Sequence, residues 1–272
     1  MLKQRLLTAA ILGALVVAGT LVLPTMWFGI ALLVFVLLGA WEWGGLLGLS
    51  RSVGRVGYCI LVLSLMVLAW VLLESQAFSW AILALACAYW CYVLAWLRRY
   101  AANPQIRDPV LAWELAGLIT LVTAWVALMG LRSAPSLGPD YVLFLLLLIW
   151  IADSGAYFAG RRWGYHKLAP RISPGKTREG AYGALAATLL FAMLGAMVFG
   201  LEPGQWPQFI LICMVTVVFS IAGDLLESML KRQHGAKDSG YLLPGHGGIL
   251  DRMDSLTAAA PIFLLGLQGL SA

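Results

Sequence analysis

The residues equipped for chemistry are concentrated in one stretch, 228–254, which reads SMLKRQHGAKDSGYLLPGHGGILDRMD. Asp238, Asp251 and Asp254 lie inside it, Asp224 and Glu227 stand immediately upstream, and Lys231, Arg232, Lys237 and Arg252 are interspersed among them. The whole chain has only 13 acidic residues, so an ordinary connecting loop does not account for this density. Magnesium takes hard carboxylates together with waters and substrate phosphates, and cations with exposed backbone N–H groups hold phosphate oxygens. The stretch therefore argues for phosphate chemistry at a membrane surface.

A second polar segment, 150–180, reads WIADSGAYFAGRRWGYHKLAPRISPGKTREG. It supplies Asp153, then Arg161, His166, Lys167, Lys176 and Arg178, with glycines at 155, 160, 164, 175 and 180. Gly175-Lys176-Thr177 invites a P-loop reading, but that motif needs glycine at position 170, where the chain has Pro170, and no strand is expected before it. In the later segment, Gly245, Gly247 and Gly248 flank His246, and each alone is weak evidence because loop glycines are usually turn residues. Asp251 and Asp254 at i, i+3 face the same way if helical, as two metal ligands must. Zinc is a rival, yet no H-E-x-x-H motif or Cys/His cluster is present, so magnesium is the expected metal.

What must position these loops is a set of membrane helices. The 272-residue chain is 61% hydrophobic and 11% charged, with a mean hydropathy of +0.87, too apolar for a soluble domain. Apolar segments long enough to cross a hydrocarbon core fall at about 6–23, 27–47, 56–73, 78–97, 114–131, 141–160, 181–200, 208–230 and 255–270. An all-α, polytopic integral membrane protein of about nine transmembrane helices follows, the last of them short. Lys and Arg favour cytoplasmic loops, and with a cytoplasmic N-terminus all 18 basic residues except Arg132 fall on that side. Lys3 and Arg5 precede the first apolar run as in a signal peptide, but there is no A-x-A cleavage site, so an uncleaved helix is expected. Cys59, Cys87, Cys91 and Cys213 sit inside apolar helices without metal spacing and read as packing residues.

Carboxylates within spanning helices are costly and are functional candidates by default. Asp153 lies eight residues before Arg161, and Asp224 seven before Lys231. At 1.5 Å per residue both sit roughly 10–12 Å below the cytoplasmic charge layer, at similar depths on one side. Asp224, Glu227, Ser228, Lys231 and Arg232 share one helix face, and a structural Asp224–Lys231 pair is the simpler explanation of two of them. Glu42, between Trp41 and Trp43, has a plainer reading, a carboxylate reaching the interface or a neighbouring arginine. The chain reads as a single membrane-embedded domain over 1–272: helices of low motif content over 1–140, then a catalytic half over 141–272 with cytoplasmic loops 161–180 and 231–254. Ion- or proton-coupled transport is a competing class, but transporters usually place polar groups near the midplane, often in repeated halves, and here the polarity is one-sided.

Ser228-x-x-Lys231-Arg232, Lys237-Asp238-x-Gly240 and Leu243-Pro244-x-His246-Gly247-Gly248-x-x-Asp251-Arg252-x-Asp254 together resemble the pattern of phosphatidate cytidylyltransferases, also called CDP-diacylglycerol synthases. Asp153-Ser154-Gly155-Ala156-Tyr157, His166-Lys167-Leu168-Ala169-Pro170 and Ser173-Pro174-Gly175-Lys176-Thr177 are similar to that family too, as are the length and the nine-helix layout. The resemblance implies Mg²⁺-dependent transfer of a cytidylyl group from CTP to phosphatidic acid, releasing pyrophosphate, at the bacterial inner membrane. On that basis Asp224, Asp251 and Asp254 are expected metal ligands, with Asp238 next and Asp153 from the facing helix. Lys231, Arg232, Lys237 and Arg252, with Lys176, His166 and Lys167, are expected to hold phosphates. Ser228 and His246 would position by hydrogen bonding, Gly247 and Gly248 would approach substrate, and Ser173 and Thr177 would bind phosphate or shape their loop. A CTP-dependent polyprenol kinase is the enzymatic alternative. Nucleic acid is not an expected partner, and small residues such as Gly183, Ala187 and Gly195 mark close helix contacts within the chain or across a homodimer.

Overall fold

A computed structural model describes residues 13–49, 52–72, 75–135, 137–242 and 247–270. Its helices are α1, described over Gly13–Val22, α2 (Thr25–Leu46), α3 (Ser52–Leu72), α4 (Gln76–Ala102), α5 (Val110–Arg132), α6 (Gly138–Trp163), α7 (Arg178–Val198), α8 (Trp206–Gln233) and α9 (Leu250–Leu270). Among the described residues eight of these are long and apolar enough to cross a membrane, and the protein is all-α and polytopic. The first expected span, 6–23, begins among residues that are not described, as do Lys3, Arg5, Arg51 and His246.

Local sequence sets the helix ends. The Thr177 hydroxyl accepts from the Gly180 N–H at 3.1 Å and starts α7, and prolines occupy the first turns of α6 and α8. At the end of α8, Lys231 and Arg232 lie in the last turn, and Gly235 turns the chain at φ +69° while Ala236 N–H donates to the Lys231 carbonyl. The expected last span, 255–270, is corrected: α9 starts at Leu250, so Asp251 and Asp254 stand on its first turns. Segment 161–180 is corrected too, because it is no open loop. Helix α6 runs on to Trp163, and β1 (Lys167–Ala169) and β2 (Ser173–Thr177) then form a short antiparallel hairpin, pairing Lys167 with Thr177 and Ala169 with Ser173.

Helix α9 is the central element, packing against α2, α4, α5, α6 and α8. Side-chain contacts gather the basic segments at one end of the bundle. Arg171 on the hairpin donates to the carbonyls of Ala101 and Ala102 at the end of α4, and Arg107 donates to the Gln233 carbonyl at the end of α8. Arg132 is at the other end, donating to the Leu23 carbonyl and stacked over Phe28. Among the described residues, Arg107, Arg171 and Arg232 are thus drawn together at one end of the bundle, away from Arg132.

Helices α6 and α7 approach closely where Gly155 faces Gly183. A Cβ at Gly155 would lie 2.6 Å from the Gly183 carbonyl and 2.8 Å from the Ala187 Cβ, while Gly195 faces the Phe144 ring. Gly183, Ala187 and Gly195 therefore make close helix contacts inside the chain. Gly183→Val should force the two helices apart and cost about 1–3 kcal/mol by overpacking. A lowered melting temperature in detergent would verify this, and an unchanged one would show that the helix pair yields freely.

Candidate active site

The two polar segments meet beside α8. Asp153, Tyr157, Gly160 and Arg161 from α6, Lys176 and Thr177 from the hairpin, and Ser220 and Asp224 from α8 line a cleft of about 390 Å³. Ala152, Ala156, Ala184 and Ile221 give it apolar walls. Lys176 Nζ sits 2.5 Å from Asp224 Oδ2, and Ser228 Oγ donates to Asp224 Oδ1 at 3.3 Å. Asp224 is therefore aimed from both sides. Gly223 explains how a third carboxylate arrives: a Cβ there would collide with the Asp254 carbonyl, so α8 and α9 approach closely beside Asp224. Asp254 consequently lies within electrostatic range of Asp224, Lys176 and Glu227, and Asp153 within range of Lys176 and Asp224.

A second cluster adjoins the first on α8. Lys231 Nζ bonds Glu227 Oε2 at 3.0 Å and Asp251 Oδ1 at 2.7 Å. The Asp224–Lys231 pair considered from spacing is therefore not formed, since Asp224 is taken by Lys176 and Lys231 by two other carboxylates. Asp251 Oδ2 accepts the N–H groups of Ser239 at 3.1 Å and Gly248 at 2.8 Å, reaching back over the start of α9 to an amide three residues earlier. Among the described residues Glu227 Oε1 is buried without a hydrogen-bond partner.

The remaining sequence candidates fall around these clusters. His166 Nδ1 lies 2.6 Å from Glu179 Oε1, whose carboxylate also accepts the His166 N–H, so His166 is tied to the start of α7. Arg232 Nε donates to the Ile172 carbonyl, joining α8 to the hairpin turn. Lys167, Lys237, Asp238 and Arg252 are exposed, and Ser173 is half-buried in β2. Thr177 is buried as the cap of α7 as well as lining the cleft. Gly247 has φ +79°, a backbone conformation suited to glycine, and lies beside Asp251 and Asp238. Gly248 is packed against Ser239 and Glu42. Arg178 is exposed.

Sequence spacing missed two anchors. Gln233 Nε2 donates to Asp108 Oδ2 at 2.8 Å while Gln233 Oε1 accepts from Asp108 N–H at 3.1 Å, clamping the end of α8 to the segment between α4 and α5. Among the described residues Glu42 pairs with no arginine; it is 4% exposed and bonds Ser239, Ile249 and Leu250. A charged residue inside an otherwise apolar run was the available signal for Glu42, whereas Gln233 had none.

The sequence profile of the cytidylyltransferase family matches residues 3–269. The chain belongs to that family. It is 41% identical to a phosphatidate cytidylyltransferase of Pseudomonas aeruginosa, over 97% of this chain and 96% of the relative. A phosphatidate cytidylyltransferase of Haemophilus influenzae is 35% identical over 97% of both chains. One from Brucella suis is 46% identical over 153 residues, 56% of each chain. This cytidylyltransferase-family member is thus a nucleotidyltransferase and an integral membrane protein, and its cleft and buried ionic cluster are the candidate centre of that chemistry.

Proposed function

We propose that the protein transfers the cytidylyl group of CTP to phosphatidic acid, forming CDP-diacylglycerol and pyrophosphate, at the cytoplasmic face of a bacterial inner membrane. The observation that carries this reading is the cleft itself. It joins Lys176 and the carboxylates of Asp153 and Asp224 to apolar walls at the basic end of a membrane bundle. Such a place suits one soluble polyanion and one polyanion anchored by acyl chains. The names of the full-length relatives support the same substrates.

In the reaction a phosphate oxygen of the lipid forms a bond to the α-phosphorus of CTP as the bond from that phosphorus to the bridging oxygen breaks, and pyrophosphate departs with the electron pair. A phosphomonoester has a second pKa of about 6, so the attacking oxygen is already ionised near neutral pH and no strong general base is required. Lys176, held toward the cleft by Asp224, is placed to meet a phosphate oxygen, and Arg161 lines the same cleft. Ser228 keeps the Asp224 carboxylate oriented.

The donor set fits Mg²⁺. Among the described residues no three His, Cys, Asp or Glu side chains are grouped tightly enough to hold a metal unaided, but Mg²⁺ usually takes one or two carboxylates and completes its shell with water and substrate phosphate. Asp224, with either Asp254 or Asp153, would hold it. Asp251, engaged by Lys231 and two amides, and exposed Asp238 stand further toward the loop. When bound, the ion would neutralise phosphate charge and stabilise the transferring group.

Purified protein given labelled CTP, phosphatidic acid in mixed micelles and Mg²⁺ should make labelled CDP-diacylglycerol and one pyrophosphate per product. EDTA should reduce the rate to background, and excess Mg²⁺ should restore it. Formation of CDP with a phosphorylated lipid would indicate a kinase instead. Ion flux in vesicles without nucleotide turnover would indicate a transporter.

A further inference from the structure

Glu42, in the second-last turn of α2, is the one charge in that helix, and burying a carboxylate is expensive unless donors surround it. Donors do surround it. Ser239 Oγ and Leu250 N–H donate to Glu42 Oε2 at 3.0 and 2.8 Å, and Ile249 N–H donates to Oε1 at 3.1 Å. Among the described residues it has no ion-pair partner, so the start of α9, whose free N–H groups favour an anion, offsets its charge. Gly240 and Gly248 are packed so closely on the carboxylate that a Cβ at either would overlap it.

These contacts lead to the chemistry. Ser239 gives its hydroxyl to Glu42 and its N–H to Asp251 Oδ2, and Asp251 Oδ1 holds Lys231. Glu42 from the N-terminal half and Asp251 from the catalytic half therefore both grip Ser239 and adjacent amides among Gly248, Ile249 and Leu250. Helix α9 begins at that grip, and Asp254 follows on its next turn toward Asp224. A plain apolar residue at position 42 would be cheaper to bury but would leave the Ile249 and Leu250 amides without this acceptor.

We propose that Glu42 is a positioning residue for cytidylyl transfer: it fixes Ser239 and the Ile249 and Leu250 amides at the start of α9, so that Asp254 meets Asp224 at the cleft. The inference rests on the reaction assigned above. A displacement of about 1 Å in a catalytic group can cost on the order of 10²-fold in rate. Groups acting mainly in the transition state lower kcat and kcat/KM together, leaving KM near its original value.

Glu42→Gln keeps the side chain's size but replaces one acceptor oxygen with an NH₂ group, which must face a donor. In the CTP and phosphatidic acid assay it should lower kcat about 30–100-fold with KM for both substrates within threefold. Amide hydrogen exchange at Ile249 and Leu250 should accelerate at least tenfold while amides in the middle of α5 keep their protection. Near-normal kcat in this variant, or a lost kcat with unchanged exchange at those two amides, overturns the proposal. If Glu42→Gln does not accumulate, Ser239→Ala decides: kcat should fall three- to tenfold at constant KM, and full activity overturns the role. Wild-type protein that makes no CDP-diacylglycerol would sink the assigned reaction, whereas active wild type with an equally active Glu42→Gln would sink the positioning role alone.

Discussion

Asp224→Asn should cut CDP-diacylglycerol formation by about 10²–10³-fold, the scale on which loss of one preorganised electrostatic contact is felt, while leaving the protein folded. The substitution preserves volume, and the amide oxygen can still accept from Ser228. What disappears is the negative charge that holds Lys176 Nζ at 2.5 Å and that lies beside Asp153 and Asp254. Lys176 and Asp224 are 26% and 30% exposed at the side chain, so the pair adds little to stability. The effect should therefore be on turnover and not on melting. Labelled CTP turnover, measured beside a thermal scan in the same detergent, separates the two. Rapid turnover by the variant would remove Asp224 from the proposed metal site and shift the weight to Asp153 and Asp254.

The way the site is built explains which parts were readable beforehand. Within one helix, periodicity fixes which residues share a face, and so Asp224, Ser228 and the buried end of α8 were legible as a unit. The helical run from each aspartate to its first basic residue was legible as well, since α6 continues through Arg161 and α8 through Lys231. Pairing across elements was not. Lys176 reaches Asp224 because the segment after α6 folds back as a hairpin, and its short strands carry no alternating pattern to announce them. The Asp108–Gln233 clamp and the Glu42–Leu250 contact join residues 125 and 208 positions apart. Spacing along the chain holds no information about them; they follow from which helices become neighbours around α9. The N-terminal half looked empty of motifs for this reason. Glu42 and Arg107 bond backbone groups of the other half, and such contacts impose no local pattern.

Lys231→Met should produce the largest loss of stability of any single change at the site. The ammonium lies between Glu227 Oε2 and Asp251 Oδ1, and side-chain exposures of 14%, 3% and 11% keep all three from effective screening by water. Removing the cation leaves two buried carboxylates facing each other, and breaking a buried ion pair in this way costs about 3–5 kcal/mol. Melting of the purified variant should fall accordingly, before any effect on substrate binding is considered. Adding Glu227→Gln should recover a large part of the loss, because the double variant no longer buries the uncompensated charge of Glu227 on α8; such coupling is expected between residues in direct contact. The same pair of variants tests the alternative use of Lys231 as a phosphate-holding cation. A lysine reserved for substrate would leave the melting temperature of Lys231→Met intact, raise KM for CTP, and gain nothing from Glu227→Gln. The geometry favours the first outcome, since an ammonium already bound to two carboxylates would have to abandon both to take up a phosphate.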